Sequence, residues 1–73
     1  MKIGMLWLDT DSKRSLDEKV RRAVDYYADK YGQRPELCLV NKKTLGEEKK
    51  VDRVMVQPAK NVLPGHFWLG MAS

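Results

Sequence analysis

The hydrophobic pattern along this 73-residue chain predicts one long helix. Between Ser15 and Gly32, apolar residues recur every three or four positions and form a single stripe on a helix surface. Ser15 and Glu18 have the spacing of a capping box, and Gly32 stands where a left-handed C-cap is expected. Pro35 prevents the helix from continuing. We therefore predict an amphipathic helix of about four turns that buries one of its faces.

Short apolar runs on either side of this helix predict the strands of a sheet. "KIGMLWL" precedes the helix and "ELCLV" follows it, and both are nearly continuous in apolar residues, as strands buried on both faces are. A strand, a helix and a second strand form a βαβ unit, whose strands run parallel. "VDRVMVQ" and "HFWLGM" are the predicted third and fourth strands. Residues 1–73 thus form one small α/β (α+β-like) domain, a βαβ unit followed by two further strands. Its three- to four-stranded mixed sheet carries one main helix on one face.

One helix leaves the second face of such a sheet without a cover. The first two strands are apolar on both faces, yet no second long helix follows them. A domain of this length also has a thin core of its own, and small domains often gain stability by oligomerising. We therefore expect a small interaction module, most simply a homodimer or a partner docked through the open sheet face.

Composition narrows the class of protein without identifying a role. Apolar residues make up 42% of the chain and charged residues 33%, which is typical of a globular domain rather than a disordered one. The longest apolar run is too short to span a membrane, and no targeting segment is recognisable, so we expect no membrane association. Cys38 is the only cysteine, which excludes an internal disulfide. A free thiol without an export signal indicates a cytoplasmic protein.

The basic residues of the second half suggest an alternative function. Net charge is +4, and residues 41–73 carry six Lys or Arg against three Asp or Glu. Lysines neutralise phosphates without reading sequence, and aromatic side chains on a sheet stack on unpaired bases. The alternative to protein association is therefore binding of RNA or single-stranded DNA. The candidate binding residues are Lys42, Lys43, Lys49, Lys50, Arg53, Lys60, His66 and Trp68.

The aromatic cluster near the end of the chain lies in the predicted fourth strand. Side chains alternate across a strand, so Phe67 and Leu69 share one face while His66 and Trp68 share the other. We predict that the first pair packs in the core beneath the helix. The second pair is then left on the open face, where a partner or ligand would contact it.

Two constellations suggest catalysis, and neither is complete. "MLWLDTDS" resembles the first motif of the haloacid dehalogenase-like phosphatases, which implies a nucleophile at Asp9, an acid/base at Asp11 and a bound magnesium ion. The resemblance covers eight residues, and the family's later motifs do not follow. Cys38 and His66 are a second candidate, as a nucleophile and its base. We predict no enzyme, no catalytic residue, no metal site and no cofactor, and keep metal-dependent phosphatase-like chemistry at Asp9 and Asp11 as the last alternative.

Overall fold

The computed structural model describes residues 4–71, which contain one helix and five strands. In chain order the elements are β1 (Gly4–Leu8), α1 (Leu16–Tyr31), β2 (Leu37–Asn41), β3 (Lys49–Val51), β4 (Val54–Ala59) and β5 (His66–Gly70). The predicted first strand began at Lys2, and its first two residues lie outside the described residues. No helix in residues 4–71 is long and apolar enough to span a membrane.

Helix α1 begins and ends at the predicted residues. The Ser15 hydroxyl accepts a hydrogen bond from the Glu18 backbone N–H at 3.2 Å, which satisfies one of the free donors of the first turn. At the other end, Gly32 has φ of 75° and donates its N–H to the Ala28 carbonyl oxygen. A residue with a Cβ is disfavoured in that left-handed conformation, so the glycine stops the helix there. The predicted helix is confirmed.

The sheet is mixed, and its last strand in sequence lies inside it. Strand order is β1-β5-β2-β4-β3. Strand β5 runs antiparallel to both β1 and β2, so these two are parallel to each other as predicted, but they are not neighbours. Strand β4 is parallel to β2, and β3 is antiparallel to β4 at the second edge. Residues 4–71 therefore form a small α/β domain with one helix on a five-stranded mixed sheet.

The sequence predicted three or four strands, and this number is wrong because of one tight turn. The segment "VDRVMVQ" was predicted as a single strand, but Asp52 and Arg53 have φ of 46° and 71° and reverse the chain between β3 and β4. Two positive φ values are typical of a type I′ hairpin turn, for which Asn-Gly is the usual sequence. Arginine is uncommon in this conformation, so the residues gave no turn signal.

Ion pairs join this hairpin to the helix. Arg21 Nε lies 2.7 Å from a carboxylate oxygen of Asp52, and the Asp52 carboxylate raises the pKa of the Arg21 guanidinium. Lys49 Nζ lies 2.6 Å from a carboxylate oxygen of Asp17 in the first turn of α1. Both pairs are exposed, so each contributes little stability, and they mark the places where the β3–β4 hairpin contacts α1.

The core lies between α1 and one face of the sheet. The helix contributes Val20, Ala23, Val24 and Tyr27. The sheet contributes the buried residues Met5, Cys38, Val40, Val51, Val54, Val56, Phe67 and Leu69. These sheet residues alternate with others along each strand, as expected when only one face of the sheet is covered. The second face remains outside this core.

Candidate functional site

The face of the sheet opposite α1, here called the open face, carries an apolar groove. It has a volume of about 480 Å³ and crosses three neighbouring strands. Its lining residues are Leu6 of β1, His66 and Trp68 of β5, Leu39 of β2, and Asn61, Val62 and Leu63 of the β4–β5 loop. His66 is the only one of these side chains that can carry a charge, and it does so only when its ring is protonated. The groove is therefore built for apolar contact.

Three leucines of this surface are unusually exposed. Leu6 is 56% exposed, Leu8 58% and Leu63 67%. Leu6 and Leu8 alternate with the core-facing Met5 and with Trp7, which packs against the core. The prediction that β1 is buried on both faces is therefore wrong for the described chain, because nothing in residues 4–71 covers the outer side of β1. An apolar surface that is left in this state usually marks an interaction site.

The β4–β5 loop forms one wall of the groove and is fixed by hydrogen bonds. The Asn41 side-chain amide donates to the Val62 carbonyl oxygen at 2.8 Å, and Val62 itself is buried. Gly65 has φ of 79°, and its carbonyl oxygen accepts from the Asp9 backbone N–H at 2.9 Å. The loop covers part of the open face, while its own Leu63 and the β1 residues Leu6 and Leu8 remain exposed.

Trp68 lies flat against β1 because residue 4 is glycine. A Cβ added at Gly4 would overlap the indole ring of Trp68, so the ring occupies the space that a side chain would fill. Gly4 and Leu6 lie on the same face of β1, and Leu6 is the register partner of Trp68. The indole is thereby held beside the exposed leucines and forms the floor of the groove.

The predicted division of the aromatic cluster is confirmed. Phe67 and Leu69 are buried and belong to the core beneath the helix. His66 and Trp68 are half-buried and line the groove on the other face. In the tautomer that carries a proton on Nδ1, His66 donates to the Pro64 carbonyl oxygen at 3.1 Å, which fixes its ring at the end of the groove.

The structure brings together only some of the predicted basic residues. Lys42 and Lys43 follow β2, and Lys60 follows β4. Because β2 and β4 are parallel, these three lysines lie at one end of the sheet, where β5 begins at His66. We call this the lysine end. All three lysines are exposed, and none forms an ion pair within residues 4–71.

The other three basic candidates lie elsewhere. Lys49 faces the helix and is paired with Asp17. Lys50 alternates with the core residue Val51 and therefore lies on the open-face side of the edge strand β3. Arg53 sits in the β3–β4 turn, at the end of β4 opposite to Lys60. A strand of that length separates the two residues by about 20 Å. A single phosphate-binding cluster of all six residues is therefore not formed.

The two acidic residues that resemble a phosphatase motif have structural partners. One Asp9 carboxylate oxygen accepts from the Asp11 backbone N–H at 3.0 Å, and one of Asp11 accepts from the Lys13 N–H at 2.8 Å. Arg14 Nη1 lies 3.5 Å from Asp9 and 3.1 Å from Asp11. These contacts hold the loop that leads into α1. Among residues 4–71 there is no group of three or more His, Cys, Asp or Glu side chains that would hold a metal ion.

Cys38 and His66 do not form a catalytic pair. Cys38 lies in the core, whereas His66 lines the groove on the opposite face of the sheet. Burial raises the pKa of the Cys38 thiol to about 12, because the charged thiolate is poorly solvated there. The thiol is therefore an inert part of the core at neutral pH.

The groove residues outside β5 were not among the predicted site residues. Leu6 and Leu39 were predicted only as apolar positions of strands, because a single sequence does not show which face of a strand a helix will cover, and Leu63 was not singled out. The sequence indicated such a site only indirectly, because its strands contain more apolar residues than one helix can cover.

Comparison with protein-family models, curated proteins and solved structures gave no match.

Proposed function

We propose that this chain is a protein-interaction module that self-associates through its open face. The observation that carries the proposal is the exposure of Leu6, Leu8 and Leu63 on the face that α1 does not cover. Removing such side chains from water stabilises a complex by about 25 cal/mol per Å² of apolar surface. In a domain of 73 residues, whose own core is thin, this contribution is large relative to total stability.

A second copy of the chain fits this surface on grounds of charge. The open-face residues of β1, β5 and β2 are apolar or uncharged apart from His66, and the lysines lie at the end of the sheet or at its β3 edge. A symmetric dimer brings the same patch of each subunit into contact. Joining two uncharged patches brings no like charges together, although each chain has a net charge of +4.

Trp68→Ala tests this proposal, with Tyr26→Ala as the matched control. Trp68 forms the floor of the groove, whereas Tyr26 is an exposed aromatic residue on the helix. Buried tryptophans at the centre of interfaces commonly contribute about 2 kcal/mol or more, which corresponds to about 30-fold in affinity. We expect Trp68→Ala to raise the dimer dissociation constant by that factor in sedimentation equilibrium, and Tyr26→Ala to leave it unchanged. Equal constants for the two variants would contradict the role of the open face.

The lysine end favours a second candidate function, binding of RNA or single-stranded DNA. Lys42, Lys43 and Lys60 are unpaired within residues 4–71 and lie next to His66 and the groove that contains Trp68. Exposed cations beside an aromatic ring are the features that hold a phosphate backbone and stack a base. This arrangement supports nucleic-acid binding at one end of the sheet.

Salt dependence tests the nucleic-acid candidate. With about three phosphates neutralised, affinity for a single-stranded oligonucleotide should fall about 20-fold between 50 and 200 mM salt. Reversing the charges of the lysine end to glutamate should abolish binding in a fluorescence anisotropy titration. The control is a triple reversal of equal charge at the opposite end of the fold: Lys30→Glu, Arg34→Glu and Arg53→Glu. Equal losses from both triple variants would show only a general effect of net charge and would exclude a site at the lysine end.

A further inference from the structure

The two edges of the sheet differ in how they are protected from pairing with another chain. Strand β3 has three residues, of which two are Lys49 and Lys50, and lysines on a short edge strand discourage further strand pairing. Strand β1 has five residues, GMLWL, with neither a charge nor a proline. An uncharged edge strand of this length is a template for another strand. The β1 edge is therefore open to pairing, whereas the β3 edge is protected.

The hydrogen-bond pattern shows which backbone groups of β1 are free. The Asp9 N–H donates to Gly65, which continues the register of the β1–β5 pair. Bonded pairs alternate along an antiparallel ladder, so Trp7 and Met5 also direct their N–H and C=O groups toward β5. Gly4, Leu6 and Leu8 direct theirs away from the sheet, and within residues 4–71 these groups make no backbone hydrogen bond in a turn or loop.

We propose that β1 pairs antiparallel with β1 of a second copy of this chain, across a two-fold axis at Leu6. This inference rests on the proposed self-association and specifies its geometry. Leu6 faces Leu6 of the second copy, and Gly4 faces Leu8 of the second copy. About six backbone hydrogen bonds form, two in each of the three facing pairs. The two sheets then join into one continuous sheet with both open faces on the same side.

Side chains on the open face complement this register. The residues that offer free backbone groups are also those whose side chains lie on the open face, so pairing brings exposed leucines together. Gly4 has no side chain, and the Trp68 indole fills its place. Leu8 of the second copy therefore lies beside that indole, and the exposed leucines of each β1 pack against the open-face side chains of the facing strand. Strand pairing stops at two chains, because the only sheet edges left are the β3 edges with their lysines.

Disulfide trapping tests the register directly. In a Cys38→Ala background, Leu6→Cys places two thiols at the two-fold axis. Cα atoms of a hydrogen-bonded antiparallel pair are about 5.5 Å apart, within the range that a disulfide spans. We expect the Leu6→Cys protein to form a covalent dimer under mild oxidation, as seen in non-reducing electrophoresis. Leu63→Cys in the same background is the matched control, since Leu63 is at least as exposed as Leu6 but lies on the β4–β5 loop, away from the axis.

A proline substitution separates edge pairing from contact between the faces alone. Leu6→Pro removes the backbone N–H that points away from the sheet, and it breaks no hydrogen bond to β5. Leu6→Ala removes most of the side chain and keeps this N–H. We expect the proline variant to dimerise at least about tenfold more weakly than the alanine variant, with both remaining folded by circular dichroism. If the chain is dimeric but Leu6→Cys does not cross-link and the two variants dimerise equally, edge pairing is wrong and the proposed function stands. A chain that is monomeric at every concentration overturns both the edge pairing and the proposed function. Binding of an unrelated peptide strand at β1, without a dimer, would show that the β1 edge is not occupied by a second copy of the chain.

Discussion

Replacing Phe67 by alanine is expected to lower the free energy of unfolding by about 3–5 kcal/mol. Phe67 is almost completely buried in the interior strand β5, with neighbours β1 and β2 on its two sides and α1 above it. Removing its ring leaves a cavity that neighbouring strands cannot close without losing their register. In a domain of this size each kcal/mol corresponds to about 4–8 °C in melting temperature, so the Tm should fall by more than about 12 °C.

Leu63→Ala is the control for this effect. It also removes a large apolar side chain, but from an exposed position in the β4–β5 loop. Substitutions at such positions usually change stability by less than about 0.5 kcal/mol. Thermal unfolding of both variants, followed by circular dichroism at low concentration, gives the comparison. A small and equal decrease in Tm for both variants would mean that β5 is not the centre of the core.

Replacing Leu6 by aspartate is expected to weaken self-association by about 100-fold or more. The substitution removes an exposed apolar side chain at the edge of the groove and places a carboxylate within the interface. With a two-fold axis at Leu6, the two carboxylates face each other, and like charges directly opposite on neighbouring strands are destabilising. The monomer should remain folded, because the wild-type leucine is already more than half exposed.

Gln33→Asp is the matched control, because it makes the same change in net charge at an exposed loop position after α1. Analytical ultracentrifugation of the two variants gives their dissociation constants. The control should dimerise like the wild-type chain. If both variants associate normally, neither the open face nor the β1 edge is the interface.

Features specified by neighbouring residues were predictable from the sequence. The helix boundaries depend on a hydroxyl at residue 15 and a glycine at residue 32, and both act within one turn of the chain. The alternation of Phe67 and Trp68 between two faces follows from strand geometry alone. Local rules therefore determined where α1 lies and which side chains of β5 share a face.

Features that depend on distant pairing were not predictable in the same way. Nothing near β1 in the sequence indicates that β5, about sixty residues later, pairs with it and separates it from β2. The turn at Asp52 and Arg53 has neither glycine nor asparagine, and Arg21 reaches it from the helix. The groove combines residues from β1, β2, β5 and a loop, so its shape exists only after these long-range contacts form. For this reason the leucines of the site were not identified in advance.

The measurement that tests the account most directly is the mass of the wild-type chain as a function of concentration. The central claim is that the open face and the β1 edge join two copies of the chain. Light scattering coupled to size-exclusion chromatography should show a species of twice 8.5 kDa at micromolar concentration and above, with the monomer appearing on dilution. A mass of 8.5 kDa at every concentration would contradict the claim.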